Sequence, residues 1–105
     1  MGWTISHSTP RIAPSYTAAA AFAQHATDVL PSRKWRAIAH LFAPRGDGYF
    51  EISPVEAARM APVFREAARH RLMPPDWADL AGRLATAADN AADNAARRGE
   101  TWVWS

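Results

Sequence analysis

Four histidines, ten carboxylates and one Ser-His-Ser run are the groups in this 105-residue chain whose types could support catalysis or metal binding. His7, His25, His40 and His70 supply imidazoles. No two stand four residues apart, the spacing that sets two rings on one helical face, and no H-E-x-x-H motif occurs. Each falls in or beside a different expected element, so each reads as a structural or surface residue. Asp89 and Asp93, with Asn90 and Asn94 beside them, offer hard oxygen ligands for a divalent cation. The same residues fit a solvated helix face, with Asp93 placed to pair with Arg97 at i, i+4 for a few tenths of a kcal/mol. That reading is preferred. Ser6 and His7 suggest a nucleophile beside a base, but neighbours on a strand point to opposite faces and cannot easily bond each other. There is no G-x-S-x-G, P-loop or G-x-G-x-x-G, and Gly46-Asp47-Gly48 lacks the remaining ligands of a calcium loop. The residues predict no enzyme, no metal and no cofactor.

Two residue types remain whose chemistry is recognition. Arg33, Lys34 and Arg36 open one expected helix, where cations oppose the macrodipole at a small cost. Arg65 and Arg69 stand one helical turn apart near the end of another, with His70 and Arg71 following. Such groups suit phosphates or acidic surfaces, although an ordinary solvated face in an arginine-biased chain accounts for them as well. Lys34 is the only lysine. Five tryptophans in so short a chain are the second signal, because indoles anchor cores and interfaces alike. Trp35 and Trp77 fall in amphipathic stripes and read as core. Trp3, Trp102 and Trp104 lie near the ends of the sequence.

The rest of the composition narrows the class. Hydrophobic content of 49 % with 21 % charged residues is globular, and 105 residues make one domain, 1–105. The net charge of +2 is too small to argue for nucleic acid by itself. The absence of cysteine excludes disulfides and thiolate chemistry. In a chain this small it favours a reducing compartment, and the expected location is the cytoplasm. No apolar run approaches the ~20 residues of a membrane span. The opening Met-Gly-Trp-Thr-Ile-Ser fits the loose myristoylation pattern but reads better as a strand.

These residues must be positioned by short elements. Trp3-Thr4-Ile5-Ser6-His7 alternates like a half-buried strand, and residues 8–15 read as loop. Ser15 caps a helix over 16–30 with stripe Ala19, Phe22, Ala23, Ala26, Val29 and Leu30. Ser32 caps a shorter helix with stripe Trp35, Ile38, Ala39 and Phe42. A turn at Arg45–Gly48 leads to a strand over residues 49–52, with Phe50 and Ile52 facing in. Ser53-Pro54-Val55-Glu56 starts a third helix through a capping box; its stripe is Val55, Met60, Phe64, Ala67, Ala68 and Leu72. Pro62 predicts a kink or break near Ala61. Asp76 caps a last helix with stripe Trp77, Leu80, Ala81, Leu84, Ala88, Ala91, Ala92 and Ala95, ended by Gly99. Its small residues invite the close approach of another helix, of this chain or of a partner. Thr101–Trp104 is a closing strand, with Trp3-Thr4-Ile5 as its natural mate and both its indoles buried on one side. The fold expected is α+β: about four helices on a small sheet that includes both termini, with a mostly helical bundle as the alternative.

The segments GWTISH, LPSRKWRAIAHLF, ISPVEAARMA, LMPPDWADLAGRLA and WVWS resemble, over nearly the whole chain, a small uncharacterised family of actinobacterial proteins. The resemblance implies a single compact domain of cytoplasmic, actinobacterial origin and supplies no catalytic or binding residues.

The leading functional expectation is a non-enzymatic interaction module that regulates or neutralises a partner protein. Its expected contacts are Arg33, Arg36, Arg65, Arg69, Trp102 and Trp104. A second copy of the chain on the alanine-rich last helix is an alternative partner. A small apolar ligand in a Trp-lined pocket is an alternative function, and fully packed indoles would argue against it. Weak nucleic-acid binding ranks lower, and no membrane partner is expected.

Overall fold

Helices start where something takes up their first amide groups, and two of the four do so through a serine. A computed structural model describes residues 2–8, 11–42 and 50–105, with side chains for all of these but 50 and 94–97. The turn expected at Arg45–Gly48, Tyr49, and the side chains of Phe50, Ala95 and Arg97 lie outside the described residues. Ser15 Oγ accepts from the Ala18 amide at 3.0 Å and opens α1, Tyr16–Val29. Ser53 Oγ accepts from the Glu56 amide at 3.2 Å and opens α3, Pro54–Arg69. The other two helices depart from expectation. In α2, Ser32–Ala39, the cap is Pro31 and Ser32 is already helical; the Pro31 carbonyl accepts from the amides of Lys34 and Trp35. In α4, Pro75–Arg98, Asp76 sits in the first turn and does not cap it.

Pro62 does not break α3, which runs from Pro54 through to Arg69. Pro62 is exposed, while Ala61, Val63 and Phe64 on its flanks are buried. Packing therefore holds the helix together on both sides of the proline. α3 lies along α4, and the alanine stripe is what lets them approach. Ala81, Ala87, Ala88 and Ala91 are fully buried. These four alanines are thus covered within the chain and present nothing to a second copy. Val55 and Leu72, both expected in the α3 stripe, are 62 % and 68 % exposed. Val55 is five residues from Met60, off the 3.6-residue period, and Leu72 comes after the helix has ended.

The sheet is built around the C-terminal strand. β1, Phe50–Ile52, pairs antiparallel with β2, Trp102–Trp104, placing Ile52 opposite Trp102 and Glu51 opposite Val103. The other edge of β2 meets the N-terminal segment, as expected from composition. Thr4 and Ser105 exchange backbone hydrogen bonds of 2.7 and 2.9 Å, and the Ser6 amide donates to the Val103 carbonyl at 2.9 Å. Residues 3–7 are not a full strand, however. They form single bridges, Ile5 to both Trp104 and Ile12, and the backbone turns left-handed at His7, φ 59°. Residues 11–15, expected as plain loop, return beside them, and Ile12 is 2 % exposed. Ser8 ties the two segments together by donating to the Ile5 carbonyl and accepting from the Ile12 amide. Gly2 is required here, since a Cβ on it would stand 2.3 Å from the Pro14 carbonyl oxygen.

The described residues share one core. Trp102 and Trp104 are 0 % and 1 % exposed and project from the same side of β2. Their rings meet edge-on at 5.5 Å; Trp102 also meets Phe64, and Trp104 meets Phe42 and Trp3. Such pairs contribute roughly 0.5–1.5 kcal/mol each beyond burial. Trp102 Nε1 donates to the Ser6 carbonyl at 3.1 Å, so its polar atom is satisfied inside the core. Trp35 and Trp77 are only half-buried at its margin, Trp35 stacked on Phe42.

Candidate functional site

A groove opens between the α1–α2 junction and the C-terminal half of α3. It is an open concavity of about 870 Å³ lined by Val29, Pro31, Pro62, Arg65, Glu66, Arg69, His70 and Arg71. Helix periodicity explains the α3 wall: Pro62, Arg65, Glu66 and Arg69 recur at three- and four-residue intervals and share one face. The opposite wall comes from Pro31, which ends α1, and Val29 just before it.

The charges in this groove are unevenly satisfied. Lys34 of α2 reaches across to Glu66, and Arg65 pairs with Asp89 of α4. Both pairs are partly exposed, and each is worth at most about 1 kcal/mol. Arg69 and Arg71 are exposed and form no ion pair among the described residues. His70 Nδ1 accepts from the Leu72 amide at 3.1 Å. In the neutral ring the proton therefore sits on Nε2, as a donor. Leu72, two residues on from His70, is the most exposed large apolar side chain described. The helix C-terminus favours cations by ~0.3–1 kcal/mol. That accounts for Arg69 at this end of α3 but not for an exposed leucine beside it.

The six residues expected to contact a partner do not gather. Arg65 and Arg69 share the groove. Arg33 and Arg36 are exposed on α2 and do not line it. Arg36 also falls in the last turn of α2, where its charge suits the dipole instead of opposing it. Trp102 and Trp104 are core and offer no surface, so neither can wall a ligand pocket in this fold. Arg71, His70 and Leu72 complete the basic and apolar set. Arg71 and His70 are legible as the continuation of the Arg65–Arg69 run; the exposure of Leu72 became apparent only with the end of α3.

The other candidate groups are structural. Ser6 Oγ accepts from the Val103 amide at 2.8 Å, which ties it to the sheet. His7 Nε2 lies 3.1 Å from the Thr101 carbonyl and 3.6 Å from Glu100. Asp89 and Asn90, the expected solvated face of α4, hold neighbouring elements: Asp89 takes Arg65, and Asn90 donates to the His7 carbonyl at 3.1 Å. Among the described residues no three of His, Asp or Glu gather where they could hold a metal ion, and no helix is long and apolar enough to cross a membrane.

Four helices around a small antiparallel sheet, with an arginine-walled groove on one side, define the class as an α+β domain. Residues 8–105 match the model of a domain of unknown function, DUF7739, and the chain belongs to that family. The comparisons with curated proteins and with solved structures match nothing.

Proposed function

We propose that this chain is a small non-enzymatic interaction module, acting in the cytoplasm of an actinobacterium to regulate or neutralise a partner protein that docks on the α1–α3 groove. The observation carrying this reading is the combination at the end of α3: two arginines without ion-pair partners among the described residues, next to a leucine 68 % exposed. Arginine is enriched at interfaces and among their anchors, and Leu72 adds apolar surface beside it. The concavity gives a partner's side chains somewhere to enter.

The test is site-specific photocrosslinking in the native host. With Leu72 replaced by benzoylphenylalanine, irradiation gives a covalent adduct of discrete mass. The same probe at Tyr16, exposed at the other end of α1 from the groove, gives none. Equal adducts from both positions, or none from position 72, would sink the reading.

A further inference from the structure

The groove's own ion pairs say what kind of surface it accepts. Of its charged residues, Arg65 already takes Asp89 of α4, and Glu66 takes Lys34 of α2. Among the described residues, Arg69, Arg71 and the Nε2 donor of His70 remain to be met. Between them lie apolar surfaces, Val29, Pro31 and Pro62. The surrounding sequence is polarised in the same sense: residues 32–71 hold eight of the twelve Lys and Arg but four of the ten Asp and Glu. The exposed Arg69 and Arg71 attract negative charge toward the groove.

Nucleic acid fits the same groove poorly. A phosphate backbone needs a continuous run of positive charge, and Glu66 interrupts the run from within the lining. Single strands also need aromatic faces for stacking, and the lining holds no Phe, Tyr or Trp among the described residues. A polypeptide that alternates carboxylates with apolar side chains meets both halves of the lining at once.

We infer that the groove takes an acidic, leucine-like segment of a partner protein. Its carboxylates bind Arg69, Arg71 and His70 Nε2 and compete with Asp89 for Arg65, while an apolar side chain seats on Val29, Pro31 and Pro62. This rests on the docking reading above and gives that partner a chemistry. Asp89 is then an internal competitor. Its removal should strengthen binding, an effect that a purely structural ion pair would not produce.

The experiment is fluorescence anisotropy with three labelled probes: a short peptide of repeated Glu-Glu-Leu, its Gln-Gln-Leu counterpart, and oligothymidine. The Glu peptide should bind at least about tenfold more tightly than the other two. Its affinity should fall between about 0.1 M and about 1 M salt, as the Debye length drops from ~10 to ~3 Å. Arg69→Ala and Arg71→Ala should each weaken it up to about fivefold, the scale of an exposed ion pair, with the melting temperature unchanged. Asp89→Asn should tighten it by about threefold. Equal binding of the Gln peptide, preference for oligothymidine, or weaker binding by Asp89→Asn would overturn the inference. If no peptide binds while position 72 still crosslinks, the acidic chemistry is wrong and the docking reading stands. If both fail, both fall.

Discussion

Trp102 shows how much one side chain holds in so small a domain. It is fully buried, edge-on to Phe64 and Trp104, with its N–H bonded to Ser6. Trp102→Ala should cost about 3–5 kcal/mol in urea unfolding, a large share of the 5–15 kcal/mol typical of a whole domain. An exposed interface tryptophan would cost far less. Gly99 gives a contrasting case. Its φ is +68°, and a Cβ there would meet nothing within 4 Å. Gly99→Ala should therefore cost only the left-handed backbone term, about 1–2 kcal/mol. Both residues were legible from sequence. Trp102 and Trp104 alternate about Val103, and Gly99 follows a run of helix formers. Ile12 was not legible, because one apolar residue between Arg11 and Ala13 has no period to reveal it.

At the scale of elements, helices were read well and their edges less so. A stripe repeated over three or four turns survives an error at either end, which is why α1, α3 and α4 fell where their periodicity put them. Caps depend on a single residue. Ser15 and Ser53 cap as expected, whereas Pro31 displaced Ser32 and α4 began before Asp76. Pro62 is the informative exception. A proline in a helix interior is about 3 kcal/mol less favourable than alanine, yet α3 tolerates it on its exposed side, in the groove wall. Pro62→Ala should raise stability by about 1–3 kcal/mol by thermal or urea melting. Unchanged or lower stability would mean that the ring supplies packing equal to the lost hydrogen bond. The alanine face of α4 tests the opposite error: Ala88→Leu should destabilise by about 1–3 kcal/mol through overpacking against α3.

For the whole molecule, the sequence brought the two ends together correctly but could not assemble the groove. β2 is the central strand, bordered by β1 on one edge and by Thr4–Ser6 on the other. Deleting residues 102–105 removes both pairings and two core indoles, so the truncated chain should lose its cooperative melting transition by circular dichroism. The groove joins Val29 and Pro31 to Arg69 and Arg71 across some forty residues of sequence, and no local spacing records that proximity. Arg65 and Arg69 could be placed on one face; their opposite wall could not. The central claim is that Arg69 and Arg71, which have no ion-pair partner among the described residues, and the leucine beside them receive a partner. Its most direct test is the position-72 photocrosslink repeated in an Arg69→Glu, Arg71→Glu background that retains the native melting temperature. The account predicts that the adduct disappears; an adduct of the same mass and yield would contradict it.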